Sequence, residues 1–270
     1  MTQSPAKPVR RVRPRKLALL TATSLAAAAP LALPVLTAGA AVYAASAEAG
    51  EAGEAGEAGI TLGDGPSVFL TELGYFEGTY LIIAQLYLSG ARDAARAHME
   101  ESHHAIYEDI APKLAELNAP GFDEAAASFA QAVTQDAADE QVAAARDAVL
   151  AAVAASGAAA NLSLRDRILA IKDLLVLAHA EYEGGVTDGS VEVPIEYRDS
   201  WGFYETARRR AAALAVDPDP AAAKAGQSLL AKLDGLDALY PELTARNAAT
   251  DPSALAAAGG WAEIIALQQD

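Results

Sequence analysis

From residue 66 onward, apolar side chains recur every three or four positions, in stretches separated by proline and glycine. This spacing places the apolar residues on one face of an α-helix. No stretch longer than a few residues alternates polar and apolar side chains, apart from the one that starts at Ser190, so at most one short strand is predicted. The pattern therefore predicts an all-α protein.

Helix start and stop signals divide this region into about seven or eight helices. The predicted helices are 66–89, 91–117, one from 123, 138–156, 164–183, 194–214, 219 to just before 241, and one after 252. Ser163 and Asp219 are predicted N-caps, and glycine at Gly90 ends the first helix. Short connections between long helices favour antiparallel neighbours, so the predicted architecture is an up-and-down helical bundle.

Residues 1–47 have the three-part composition of a secretory signal segment. A basic start is followed by an apolar stretch from Leu17 to about Val42 and by a small-residue cleavage site at 45–47. The apolar stretch is also long enough to stay in the membrane as an uncleaved anchor. Either version predicts an exported protein, periplasmic or extracellular, that meets the membrane only through this segment.

Residues 48–65 contain four copies of Glu-Ala-Gly and are predicted to form an acidic, flexible linker to a helical bundle domain at 66–270. Removing 1–47 leaves 14 basic and 36 acidic residues, a net charge of −22, against −16 for the whole chain. Such a surface repels nucleic acid and favours a metal ion or a basic protein as partner. The chain has no cysteine, which excludes disulfides and thiolate metal sites.

Motifs of common catalytic sites are absent. The sequence contains no phosphate-binding glycine loop, no G-x-S-x-G and no H-E-x-x-H. We therefore expect a non-enzymatic protein.

Three of the four histidines lie within seven residues on the predicted helix 91–117. At about 100° per residue, His103 falls in the middle of the apolar face and His98 at its edge. Glu101 and His104 fall on the opposite, polar face. His103 is thus the predicted inward-facing member of this group.

Three other helices also place one metal-ligand side chain on an apolar face. Glu77 lies on the first helix, which is apolar nearly all round, His179 lies beside the apolar face of 164–183, and Glu196 lies on that of 194–214. Glu77 and His103 are each thirteen residues from Gly90, so in an antiparallel pair both lie about 20 Å from the turn.

These positions predict a site for a divalent transition metal (iron, zinc or manganese) formed by Glu77, His103, His179 and Glu196, with His98 as an additional ligand. Two histidines and two carboxylates together satisfy such an ion. The alternative is purely structural pairing, with Glu77 bound to His103 and Glu196 bound to an arginine or a tyrosine. The protein would then be a structural or protein-interaction module of the cell envelope without a metal.

The predicted helix 194–214 has two further features. Its aromatic cluster of Tyr197, Trp201, Phe203 and Tyr204 predicts core packing, with a ligand pocket beside Glu196 as the alternative. Its run of three arginines at 208–210 is predicted to face solvent near the helix end or to pair with the acidic surface of a second copy.

The segment His98-Met-Glu-Glu101 resembles the H-x-x-E part of the G-x-H-x-x-E motif of imelysin-type proteins, which are periplasmic helical bundles linked to iron uptake. Arg96 occupies the position of the motif glycine, and the resemblance covers four residues of the chain. It implies that His98 and Glu101 bind metal. Helical periodicity, in contrast, places Glu101 on the polar face.

Overall fold

The computed structural model describes residues 65–269, so the predicted signal segment and all of the linker before Gly65 lie outside it. Within this range the chain forms nine α-helices and one small hairpin, which confirms the all-α prediction. The elements are α1 Ser67–Leu88, α2 Arg92–Glu101, α3 Tyr107–Glu116, α4 Asp123–Thr134, α5 Asp139–Ala159, α6 Leu164–Gly185, β1 Val186–Thr187, β2 Ser190–Val191, α7 Pro194–Ala215, α8 Pro220–Leu233 and α9 Ser253–Ala266.

Several helix ends follow from local sequence, as predicted. The Ser163 hydroxyl accepts a hydrogen bond from the Asp166 amide at the start of α6, at 3.1 Å. The Asp219 carboxylate accepts one from the Ala221 amide at the start of α8, at 2.9 Å. Gly90, with φ of +87°, ends α1 in a conformation that a side chain disfavours. Capping within the sequence thus defines the boundaries of these helices.

Two hydrophobic cores lie side by side in the bundle. The C-terminal core is formed by α6, α7, α8 and α9, and the N-terminal core by α1 to α5. Trp201 on α7 packs against both cores. α1 lies against α2, α5, α6 and α7, which explains why its apolar residues surround it nearly completely.

The predicted continuous helix 91–117 is wrong, because the chain leaves the helix between α2 and α3. Ser102 is extended, with ψ of 127°, and its hydroxyl lies 3.4 Å from the Thr79 hydroxyl on α1. The break changes the direction of each side chain after it. The helical face assigned to His103 and His104 from the sequence therefore does not apply.

The single strand predicted at Ser190 exists and pairs with a second two-residue strand, β1, in an antiparallel hairpin. The helix predicted to reach residue 241 stops at Leu233 instead. Gly235, with φ of +80°, follows it, and the segment Leu236–Leu239 forms a short 3₁₀ turn. Left-handed backbone at Gly235 cannot continue an α-helix.

In the described part of the chain, α5 is long and apolar enough to span a membrane by length and composition alone. Its apolar character comes mostly from alanine, and Val142, Val149 and Val153 pack into the N-terminal core.

Candidate functional site

A buried histidine on α2 faces a buried aspartate on α7. His98 has no exposed surface, and its Nε2 atom lies 3.5 Å from Oδ1 of Asp199. Within residues 65–269, neither ring nitrogen of His98 has a hydrogen-bond partner. Burying an imidazole without a hydrogen-bond partner is costly.

His104 approaches the same carboxylate from the link between α2 and α3. Its Nε2 atom lies 3.5 Å from Oδ2 of Asp199. Its ring packs against Tyr75 and Phe203, with centroids 5.7 Å and 5.4 Å away. We call His98, His104 and Asp199 the histidine–aspartate cluster.

The close approach of α1 and α7 helps to place this cluster. Glycines meet at their crossing, where a Cβ on Gly78 would lie 3.1 Å from the carbonyl carbon of Gly202. A Cβ on Gly202 would lie 2.6 Å from Cδ1 of Ile82. Glycine at both positions lets the two backbones come together, three residues beyond Asp199.

Burial dominates the electrostatics of the cluster. It lowers the pKa of His98 to about 4, although the neighbouring Asp199 carboxylate acts in the opposite direction. His98 is therefore neutral at pH 7, with a lone pair on one ring nitrogen. A neutral imidazole is the form of histidine that binds metal ions.

Further charged groups surround the cluster. Glu196, one helical turn before Asp199 on α7, is 1% exposed. Burial lowers the pKa of Arg198, whose Nε donates to the Leu243 carbonyl at 3.1 Å. The charge of Glu101 acts on the same guanidinium. The surroundings are thus rich in carboxylates.

The predicted metal ligands do not meet in one site. Glu77 forms an ion pair with Arg210, with 2.7 Å between Oε1 and Nη2. His179 is partly exposed and faces Glu183 at 3.4 Å. His103 is exposed, so its predicted inward orientation is wrong, because it lies in the non-helical link. Glu196 is buried as predicted.

Sequence reasoning missed two members of the cluster. His104 was assigned to a polar helical face, which the break at residue 102 removes. Asp199 is not among the predicted metal ligands, yet it is 4% exposed. The available signal was its i, i+3 spacing to Glu196, which places two acids on one buried face.

The cluster has the donor types of a metal site, but not its finished geometry. Two imidazoles and one carboxylate are ligands suited to iron. Among residues 65–269, however, no three His, Asp or Glu side chains are already grouped so as to hold a metal ion. In the cluster, each imidazole faces a different oxygen of Asp199. Metal binding here requires a side chain to rotate.

The structure also shows where the aromatic cluster and the arginine run of α7 lie. The aromatic cluster of α7 is core, since Tyr197, Phe203 and Tyr204 are buried. The arginine run is not uniformly directed to solvent, because Arg210 binds both Glu77 and the Leu70 carbonyl.

Residues 158–263 match the family model of the iron permease-associated 4-helix bundle domain. The match covers 106 of the 270 residues and spans α6, α7, α8 and most of α9, the four helices of the C-terminal core. It supports an iron-uptake-related helical domain in this segment. The imelysin type of the predicted resemblance stays a prediction. No curated protein and no solved structure matches the chain.

Proposed function

We propose that this protein is a non-enzymatic module of the cell envelope that binds iron and delivers it to an iron permease. The proposal is supported by the similarity of α6 to α9 to a domain associated with iron permeases. Its site is the histidine–aspartate cluster, where α7 of that segment meets α2 and the following link.

The observation that carries the proposal is the unsatisfied, fully buried imidazole of His98. Iron bound through a ring nitrogen would replace the hydrogen bonds that the side chain lacks. Asp199 and His104 supply the other donors, and together they form a two-histidine, one-carboxylate ligand set suited to iron(II). Iron is here the cargo, so the site need only bind it and release it.

Binding requires His104 or Asp199 to rotate until both donors face one point. His104 lies in a link whose backbone is not held by helical hydrogen bonds, so it is the side chain best placed to move. Glu196 remains in the proposal as a neighbouring carboxylate on the same face of α7. Glu77 and His179 do not, because each already pairs with another residue.

The acidic surface fits the same role. A net charge of −16 attracts cations toward the protein and favours a basic surface on the permease side. Export through the predicted signal segment would place the module where it meets iron before transport.

Iron(II) binding to the purified full chain under anaerobic conditions tests the proposal. We expect His98→Ala and Asp199→Asn to weaken binding by about 10- to 100-fold or more, because the first removes a donor nitrogen and the second removes the negative charge of the carboxylate. His103→Ala is the matched control and should bind as the wild type does, since His103 is exposed two residues from the α2 end. Circular dichroism checks that each variant is folded.

The melting temperature provides a second measurement. Iron that binds only the folded chain must raise the melting temperature of the wild type, and at the same iron concentration it should raise that of the His98 variant less. Zinc and manganese are compared in parallel. Absence of binding and of any shift with all three metals would refute the proposal and favour the structural module, whose polar groups only fix helix packing.

A further inference from the structure

A groove of about 510 Å³ lies away from the histidine–aspartate cluster, between α1, α5, α6 and α7. Its apolar walls come from all four helices, and its rim carries arginines. The apolar lining includes Leu70, Leu73, Leu150, Val153, Ile171 and Leu214. The iron-binding proposal does not use this groove.

The charge of the groove is opposite to that of the protein. Arg167, Arg209 and Arg210 line it, against a single acid, Glu77. The chain after residue 47 contains only 14 basic residues, against 36 acidic ones, and three of the 14 line this groove. Arg210 is bound to Glu77 and Arg167 to Asp217, at 2.7 Å and 3.1 Å. Arg209 is exposed and has no ion pair within residues 65–269. The groove therefore suits an anionic occupant with some apolar side chains.

The chain itself contains a segment of this chemistry. Residues 48–64 hold five acids and no basic residue, with Ile60 and Leu62 near their end. The segment leads directly into α1, whose first turns contribute Leu70 and Leu73 to the groove wall. Seventeen residues extend to at most about 60 Å, so the segment is long enough to turn back onto the groove.

We propose that the acidic segment 48–64 docks intramolecularly in this groove, with its glutamates toward Arg209 and its apolar residues on the groove floor. Each surface ion pair contributes little by itself. Covalent attachment compensates, because a segment joined directly to α1 is held near the groove at an effective concentration of the order of millimolar.

The absence of cysteine makes the test direct. In the full chain, Ala55→Cys and Ala158→Cys introduce two spin labels, one in the segment and one at an exposed position of the groove. We expect a narrow distance distribution between the labels. It should broaden in about 1 M salt, where the Debye length falls to about 3 Å, and in the charge-reversed variant Arg209→Glu.

Arg208→Glu is the matched control. It makes the same change of charge one residue away, but Arg208 is bound to Glu205 and does not line the groove. Its distance distribution should stay narrow. A broad distribution in the wild type, or a narrow one unaffected by Arg209→Glu, would overturn the proposal. The same narrow distance between two singly labelled copies would also overturn it, by assigning the groove to the segment of a second molecule.

Discussion

Two glycines in the middle of helices provide a matched test of the packing in the four-helix segment. A Cβ on Gly226 of α8 would meet the backbone of α7, with the amide nitrogen of Ala215 nearest and the carbonyl carbon of Leu214 at 2.6 Å. Backbone cannot yield as the end of a flexible side chain does. A Cβ on Gly260 of α9 would meet no atom of residues 65–269 within 4 Å.

The two alanine substitutions should therefore have opposite effects. Each gains about 1 kcal/mol of helix propensity. For Gly260→Ala nothing opposes that gain, so we expect a stabilisation of about 0.5–1 kcal/mol. For Gly226→Ala, overpacking of about 1–3 kcal/mol or more outweighs it, and we expect a net loss of about 2 kcal/mol.

Urea denaturation of the wild type and both variants measures the differences in free energy of unfolding, and thermal denaturation gives the melting temperatures. At roughly 2–4 °C per kcal/mol for a domain of this size, the melting temperatures of the two variants should differ by roughly 5–12 °C. A Gly226→Ala variant as stable as the wild type would show that the α7 and α8 backbones do not approach as closely as described. The reasoning from Cβ contacts to stability would then fail.

Three further perturbations test other parts of the molecule. The pKa of His98 is about 4 when folded and 6.5 when unfolded, so the unfolded chain binds more protons between these values. The free energy of unfolding should therefore fall by about 3 kcal/mol as the pH drops from 6.5 to about 4. In the His98→Gln variant, the free energy of unfolding should not show this loss. If the wild type and the variant lose the same free energy over this pH range, burial does not lower the pKa of His98. Glu77→Gln removes the charge that pairs with Arg210 and should lower the free energy of unfolding by about 1–3 kcal/mol, measured by urea denaturation. No loss would show that the ion pair is solvated. Phe129 has no exposed surface, so Phe129→Ala leaves a cavity in the core and should lower the free energy of unfolding by about 3–5 kcal/mol, measured by calorimetry. A loss below about 1 kcal/mol would place Phe129 outside the core.

Much of the site depended on contacts that local patterns do not contain. Glu77 was predicted to bind a metal ion or His103, yet its partner Arg210 is 133 residues away in sequence. Helical periodicity correctly buried Glu196, because α7 is continuous through that position. The same method failed for His103 and His104, because it assumed a helix where the chain is extended at Ser102.

The sequence by itself determined the helical class and many helix ends, together with the two N-caps at Ser163 and Asp219. Those features depend on hydrogen bonds and backbone preferences within a few residues, which the local sequence contains. Only the tertiary structure decided that His98 and His104 face Asp199, about 100 residues further along the chain. That meeting depends on how closely α1 and α7 pack and on where α2 ends, and both are set by contacts between distant segments.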